Sequence, residues 1–287
     1  MRLISYITAG KGHVGVMRDE RNFVPVSELH ADVPGSLKAL LAQGDAGLAR
    51  VRRLAGAGDA PTRRIEDVVL APVVPDPAVI WCVGLNYRDH VQETGRSLTE
   101  KPTLFLRLPV SQVGHLQPMI KPRVSEQLDY EGELALVIGR GGRHISEADA
   151  YGHIAGYSCY NEGSIRDWQR HTSQFGPGKT FQGTGAFGPW LVTADEFGDP
   201  EQHELVTRLN GNEMQRTKID MMLFKIPYLI SYISAVHPLA PGDVIVTGTP
   251  GGVGSRRTPP VYMFPGDKVT IEISGIGSLE NTIVAEA

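Results

Sequence analysis

The chain of 287 residues has little of several features that mark whole classes of protein. It has only two cysteines, Cys82 and Cys159, and both lie in apolar, strand-like segments, where buried free thiols are expected rather than a disulfide or a nucleophile. No apolar stretch approaches the length of a membrane span, and the N-terminus lacks the apolar run and cleavage site of a secretory signal. We therefore expect a cytoplasmic protein with no membrane partner.

An excess of charge of one sign is also missing. The formal net charge is -4 and the pI is near 6.1, and basic residues are scattered except for three arginine pairs at 52–53, 63–64 and 256–257. This distribution predicts no nucleic-acid partner. The chain does have a hydrophobic content of 41%, which is enough to bury a large core in one big domain or in a large domain with a small one.

Proline and glycine divide the chain into two predicted domains. The proline-rich segment 71–77 cannot continue a helix or lie in a central strand, so it is expected to join a small α/β N-terminal domain, residues 1–70, to a main domain, residues 71–287. The first domain is predicted to contain strands at 2–7, 13–18 and 22–26 and a helix over 36–54. The main domain is predicted to contain one helix over 226–236 and short strands at 78–84, 103–107, 133–139, 154–160, 189–193, 204–209, 243–247, 268–273 and 278–284. The fold class predicted is β-dominated α+β.

Two glycine patterns resemble nucleotide-binding motifs without their context. Gly183–Gly188 matches G-x-G-x-x-G, but a strand pattern follows it where a dinucleotide site requires a helix. Gly248–Gly254 lacks the Lys-Ser/Thr of a phosphate-binding loop. We predict a loop that lets the backbone approach a small ligand closely at 248–254, and no dinucleotide site at 183–188.

Two glutamates precede a continuous apolar run at 134–138. Alternate side chains of a strand share one face, so Glu131 and Glu133 are expected to point the same way. Two carboxylates on a semi-buried face repel each other unless a cation lies between them, and oxygen ligands suit Mg²⁺, Mn²⁺ or Ca²⁺. The alternative is an exposed strand end with two solvated glutamates.

Ordered motifs over about 70–284 resemble the fumarylacetoacetate hydrolase family. They are V-G-L-N-Y-R-D-H at 83–90, D-Y-E-G-E-L at 129–134, R-D-W-Q at 166–169, P-G-K at 177–179, G-D-V-I-V-T-G-T-P at 242–250 and P-G-D at 265–267. The resemblance implies a β-rich fold around a rolled, mixed and mostly antiparallel sheet, and a homodimer. It also implies a divalent metal held by three carboxylates and a small-molecule 2-oxo or 2,4-dioxo acid as substrate.

Carried over residue by residue, the resemblance makes Glu131 and Glu133 two metal ligands and places Glu162 where the family normally has an aspartate. The ion implied is Mg²⁺ or Mn²⁺, with Ca²⁺ as a further possibility. Glutamate is one methylene longer than aspartate, so Glu162 is expected to coordinate if the backbone withdraws, and Gly163 is expected to provide that freedom. The alternative is that Glu162 only forms a salt bridge with a neighbouring arginine.

The same resemblance assigns six further residues. His90, oriented by Glu93 three residues later on a short helix, is expected to be a general base, and the polar segment 94–100 a lid. Lys179 is expected to be catalytic, whereas the substrate-binding residues implied are Arg166, Gln169 and Thr249. The alternatives are an ion pair of Arg166 with Asp167 or Glu162 and solvent exposure of Lys179. Arg170 and His171 lie close by in sequence and could extend the anion pocket, but no family motif supports them, so they are not assigned.

These residues predict a metal-dependent hydrolase that cleaves the C–C bond of a 2,4-dioxo acid, such as an acylpyruvate, in catabolism of the kind that degrades aromatic compounds. An oxaloacetate decarboxylase, a tautomerase or isomerase, or a hydratase would use the same metal and anion pocket, so the motifs leave these alternatives open. A more distant alternative is a protein that binds 2-oxo acids without turnover, because Glu162 departs from the family pattern.

Overall fold

The computed structural model describes all 287 residues, and strands dominate it. The strands in its first half are β1 (Arg2–Thr8), β2 (Lys11–Met17), β3 (Asn22–Val24), β4 (Arg63–Arg64), β5 (Val69–Leu70), β6 (Ile80–Gly84), β7 (Thr103–Arg107), β8 (Gln112–Val113), β9 (Met119–Lys121) and β10 (Leu128–Asp129). The later strands are β11 (Gly132–Ile138), β12 (Ile154–Asn161), β13 (Ser164–Ile165), β14 (Gly185–Thr193), β15 (Glu204–Leu209), β16 (Asn212–Lys218), β17 (Val244–Val246), β18 (Lys268–Ile273) and β19 (Gly277–Ala285).

Helices are short and lie between the strands. The α-helices are α1 (Val26–Leu29), α2 (Leu37–Leu41), α3 (Gly44–Ala55), α4 (Arg88–Thr94), α5 (Arg166–Gln169), α6 (Gly176–Lys179), α7 (Ala194–Phe197) and α8 (Ile226–Val236). Single 3₁₀ turns occur at Ile65–Asp67, Pro109–Ser111, Ala150–His153, Pro200–Gln202, Ile219–Met221 and Gly254–Arg256. No helix has both the length and the apolar character needed to cross a bilayer.

One large sheet forms the frame of the molecule. Its twelve strands follow the order β4-β3-β2-β1-β14-β12-β11-β17-β6-β7, with β5 beside β1 and β8 beside β14. Most pairs are antiparallel, but β17 with β6 and β14 with β8 are parallel. A separate five-stranded sheet has the order β16-β15-β18-β19-β9. The predicted β-dominated, mixed fold is therefore confirmed.

The N-terminal strands continue the main sheet. β1 pairs antiparallel with β14, so that Leu3 lies opposite Leu191, and β2, β3 and β4 extend the sheet outward from β1. The two predicted domains thus share one sheet through this pair of strands. The boundary itself, 1–70 against 71–287, stays a prediction.

The central strand β11 is buried on both faces. Leu134, Leu136 and Ile138 belong to one hydrophobic core, and Ala135 and Val137 to the core on the other side of the sheet. Alternation along the strand sends neighbours to opposite faces, which explains why this segment is continuously apolar. Polar residues at the start of β11 are consequently carried into the interior.

Two local expectations were wrong. The helix predicted over 36–54 is two helices, because the chain turns before Gly44, which has φ of +63°, a left-handed conformation that costs glycine little. Strand β16 was not predicted at all. Its sequence NEMQRTK has one buried position, Gln215, and carries polar residues on both faces. Such a pattern is typical of an edge strand, and β16 lies at the edge of the five-stranded sheet.

Candidate functional site

A cleft opens where the large sheet meets the loops that follow several of its strands. It is lined by the end of β6, by α4, by the first residues of β11, by the residue after β12, by α5 and α6, and by the loops after β17. Eight of the nine residues singled out as ligands, catalytic groups or substrate contacts line it, and the ninth, Glu93, is hydrogen-bonded to His90. The ordered motifs of the sequence therefore meet at one site.

Three carboxylates form the buried end of this cleft. Glu131, Glu133 and Glu162 each offer an oxygen within 4.8 Å of the others. Their relative exposures are 3%, 1% and 2%, which excludes the alternative of solvated glutamates at a strand end. The structure therefore brings the three predicted ligands together.

The backbone around Glu162 is fixed by contacts with the opposite segment. The N–H of Glu162 donates to the carbonyl oxygen of Glu131 at 2.8 Å, and the N–H of Glu131 donates to Asn161 Oδ1 at 3.1 Å. Gly163 does not provide the freedom that we expected. A Cβ on it would lie 1.8 Å from the carbonyl oxygen of Thr184, so glycine is needed there for a close approach between backbones.

Two buried cations contact these carboxylates. Lys179 Nζ donates to Glu162 Oε2 at 2.8 Å and also to Glu131, while Arg166 lies 2.6 Å from Glu131 and 2.7 Å from Asp129. Both alternatives proposed for these residues fail, because Lys179 is buried and Arg166 pairs with neither Asp167 nor Glu162. Asp129, Glu131 and Glu162 thus contact the two cations, and Glu133 contacts neither of them. Four buried carboxylates with two cations leave two formal negative charges.

Within the acidic cluster, the pKa values of Glu131 and Glu133 shift in opposite directions. Burial raises the pKa of Glu133 well above its usual range, and repulsion by Glu162 and Glu131 raises it further. Burial also acts to raise the pKa of Glu131, but the Arg166 and Lys179 charges outweigh it, so that this pKa is lowered. For Lys179, burial opposes the charged form, yet Glu131 and Glu162 raise its pKa.

The residues present fit a divalent cation. Glu162 Oε1 is buried and receives no hydrogen bond, although an unpartnered buried carboxylate oxygen is costly. The donor set is all carboxylate oxygen, the chemistry that hard ions such as Mg²⁺, Mn²⁺ and Ca²⁺ prefer. An ion of charge two would also neutralise the charge left by the ion pairs. Glu131, Glu133 and Glu162 are therefore the residues that would hold it.

A histidine on α4 lines the same cleft as the carboxylates, and a glutamate of the same helix binds it from behind. His90 Nδ1 lies 2.7 Å from Glu93 Oε1, and Glu93 Oε2 accepts a hydrogen bond of 2.8 Å from the Gly252 N–H. Because a carboxylate only accepts, the proton lies on Nδ1 and the lone pair of neutral His90 lies on Nε2. The helical spacing of three residues thus orients the imidazole as a base.

Two predicted substrate contacts have partners within the chain. Gln169 Oε1 accepts a hydrogen bond from Arg166 at 2.9 Å. The Thr249 hydroxyl donates to the Gly132 carbonyl oxygen at 2.9 Å and accepts from Gln215 Nε2 at 2.8 Å. Its single proton is therefore already used, and the Thr249 side chain aligns the loop against β11.

Sequence reasoning missed one buried residue that supports the cleft and several that line it. Asp129 belongs to the D-Y-E-G-E-L motif but was assigned no role, although it is buried and binds Arg166. Its place two residues before Glu131, on the same side of an extended chain, was the available signal. Further lining residues have no family motif, although Arg170 was noted beside the anion pocket and Arg96 lies in the predicted lid. They are Arg96, Phe105, Arg170, Phe175 and Arg256.

Comparison with known proteins gives a consistent result. The family model described as fumarylacetoacetate (FAA) hydrolase C-terminal matches residues 79–284. The oxaloacetate tautomerase YisK of Bacillus subtilis is 41% identical over 263 residues, which are 88% of this chain and 87% of YisK.

Two solved structures show the same fold over the whole chain. Fumarylacetoacetate hydrolase from psychrophilic Exiguobacterium antarcticum matches with a TM-score of 0.87 at 34% identity, covering 100% of both chains. Maleylpyruvate hydrolase from Sphingobium sp. SYK-6, in complex with manganese (II) ion and pyruvate, matches with a TM-score of 0.83 at 25% identity and covers 100% of both chains. These relatives are enzymes, and they include both a tautomerase and hydrolases.

Proposed function

This chain belongs to the fumarylacetoacetate hydrolase family, and on that premise we propose that it is a divalent-metal-dependent tautomerase that interconverts the keto and enol forms of oxaloacetate. The observation that carries the proposal is the position of an oriented base, His90, in one cleft with the buried carboxylates and Lys179. Keto–enol interconversion needs a base for a carbon-bound proton and positive charge near the oxygen. The 41% identity to an oxaloacetate tautomerase supports this reaction over the others open to the family.

In this reaction His90, Glu93 and the three metal-binding glutamates have separate roles. His90 Nε2 takes the proton from C3 as the C2–C3 double bond forms, the C2 oxygen takes a proton from water, and His90 returns its proton to water; the reverse steps restore the keto form. Glu93 holds the imidazole in the tautomer needed and stabilises its protonated form. A divalent ion held by Glu131, Glu133 and Glu162, Mg²⁺ or Mn²⁺, would supply positive charge that makes the C3 proton more acidic.

Lys179 adds charge at the same end of the cleft. Its ammonium group has three protons, of which Glu131 and Glu162 accept two. The third proton has no acceptor in the chain and is the one that can reach the C2 oxygen as negative charge develops on it. The two carboxylates thus fix Lys179 in place before substrate arrives.

A C–C hydrolase acting on 2,4-dioxo acids is the second candidate. The His90–Glu93 pair can deprotonate water as well as carbon, and the structural match to a maleylpyruvate hydrolase favours this alternative. The homodimer implied by the family resemblance is part of this proposal too, and sedimentation of the purified chain tests it.

The deciding experiment follows oxaloacetate and acetylpyruvate separately with protein and Mg²⁺ or Mn²⁺. We expect faster approach to the keto–enol equilibrium of oxaloacetate, followed by ultraviolet absorbance, with no consumption of either acid by NMR. Pyruvate with acetate from acetylpyruvate would support the hydrolase instead, and pyruvate with CO₂ from oxaloacetate a decarboxylase. His90→Gln should remove the activity, whereas the matched control His30→Gln, directly after α1 and outside the cleft, should keep it.

If the protein changes neither acid, the enzyme assignment is wrong for these substrates. The alternative is then a protein that binds 2-oxo acids without turnover.

A further inference from the structure

Two arginines at the mouth of the cleft have no partner. Arg170 and Arg256 both line the cleft and are exposed, and neither guanidinium forms an ion pair or a hydrogen bond with the rest of the chain. The sequence neighbour of Arg256 behaves differently. Arg257 donates to the Tyr130 hydroxyl at 3.1 Å and also to the carbonyl oxygens of Gly252 and Met214. Arg257 therefore holds the loop together, whereas the side chain of Arg256 lines the cleft and has no partner.

A single buried carboxylate sets the positions of both segments. Asp129 accepts hydrogen bonds from Arg166 Nε at 2.7 Å, from the Gly254 N–H at 2.8 Å and from the Ser255 N–H at 2.9 Å. Arg166 begins α5, which Arg170 follows directly, and the 3₁₀ turn Gly254–Arg256 ends on the second free arginine. Asp129 thus ties together the two segments whose ends carry the unpaired charges.

The two free arginines line the same cleft, and their like charges repel each other. Burial lowers the pKa of Arg170, and the charges of Arg166 and Arg256 lower it further. Arg166 is compensated by Asp129 and Glu131, but the two outer arginines are not. Like charges held near each other favour an anion between them, and guanidinium groups match the geometry of a carboxylate.

We propose that Arg170 and Arg256 bind the distal carboxylate of a 2-oxo dicarboxylic acid and thereby select dicarboxylates over monocarboxylates. The inference rests on the proposed function for the identity of the 2-oxo acid end, which belongs beside Lys179 at the buried end of the cleft. It goes further by naming the residues that recognise the other end. Arg166 is not part of this selection, because its contacts hold the site itself.

Binding of unreactive ligands tests the proposal without any turnover. L-malate and 2-hydroxybutanoate share a four-carbon chain and differ by a carboxylate in place of a methyl group. Calorimetry with the Mg²⁺-loaded protein should show at least about tenfold tighter binding of malate, and this preference should weaken as salt is added. In the variant Arg170→Gln/Arg256→Gln the preference should fall to about twofold or less, with 2-hydroxybutanoate binding unchanged.

Two further variants make the result specific. Arg170→Lys/Arg256→Lys keeps the charges and should retain part of the preference for malate, while Arg53→Gln, an exposed arginine on α3, should change nothing. Equal loss of both ligands in the double glutamine variant, or no preference for malate in the wild type, would overturn the proposal. The result does not depend on which reaction the protein catalyses, so failure of the proposed function and failure of this inference are separable.

Discussion

The two sides of the cleft are built by different means. The floor is Glu131, Glu133, Glu162, Arg166 and Lys179. Its three carboxylates lie at the ends of the central strands β11 and β12, its two cations lie on α5 and α6, and ion pairs join the two sets within the buried interior. The wall is α4 and the segment that follows it.

The wall is held firmly as far as α4 and loosely beyond it. Before α4, the Asn86 side chain donates to the carbonyl oxygens of Thr247 and Phe224 and accepts from the Phe224 N–H. Beyond α4, residues 95–101 are all exposed, and 96–99 have no regular structure. The difference indicates a preorganised floor for charge and a segment after α4 that can adjust to the substrate.

The largest effect should come from the floor. Removing divalent metal with EDTA should reduce turnover of oxaloacetate to the uncatalysed rate, because the charge held at the three carboxylates is lost, and Mg²⁺ or Mn²⁺ should restore it. Turnover is measured before and after chelation, with elemental analysis of the protein. Full activity in a protein shown to be metal-free would remove the metal from the proposal.

The base on the wall is expected to come next. His90→Ala should lower kcat by about 10² to 10⁴, the usual range for a lost general base, while metal affinity stays nearly unchanged because His90 is not in the carboxylate cluster. Turnover and Mn²⁺ titration are measured on the same preparation. Turnover at the wild-type rate would mean that another group moves the proton, and weaker metal binding would mean that floor and wall are one unit.

Lys179 tests the charge balance of the floor without reference to catalysis. Lys179→Met leaves the buried carboxylates with less compensation, so the metal-free protein should lose about 3 kcal/mol in free energy of unfolding. Denaturant titration checks this value, with exposed Lys218→Met as the control. Mn²⁺ should recover a large part of the loss. No loss in the metal-free protein would mean that the carboxylates bind protons there in place of the lysine.

Two substitutions of Glu162 separate the need for a long side chain from the need for a negative charge at this position. Glu162→Gln should raise the Kd for Mn²⁺ by about 10- to 100-fold, and Glu162→Asp should be tolerated only in part, because the backbone is held against Thr184 and cannot advance to shorten the gap. Calorimetric titration of Mn²⁺ measures both, with exposed Glu147→Gln as the control. Wild-type affinity in both variants would withdraw Glu162 from the ligand set.

The sequence predicts the floor better than the mouth of the cleft. Glu131 and Glu133 follow from strand alternation beside an apolar run, and family motifs locate Glu162 and Lys179. Arg170 and Arg256 gave no such signal, because their significance depends on what fails to contact them in three dimensions. An arginine pair such as 256–257 looks uniform in sequence, yet Arg257 is bound to the loop and Arg256 is not.

The smallest expected effect concerns the free end of the wall. The Arg96 guanidinium lies over the Phe175 ring at 5.1 Å, and both side chains line the cleft. An exposed cation–π contact contributes about 0.5 to 1 kcal/mol, so Arg96→Ala should raise KM for oxaloacetate by about two- to fivefold and leave kcat and metal affinity unchanged.

Phe175→Leu, alone and combined with Arg96→Ala, separates this contact from other effects of the substitution. If the segment after α4 closes over substrate through the contact, the two single changes should raise KM similarly, and the double variant should be no worse than either. Additive increases would instead show that Arg96 and Phe175 act separately. A large fall in kcat on Arg96→Ala would show that the segment after α4 also positions His90. That segment would then belong to the fixed part of the site, and the adjustable part would have to lie further along the chain.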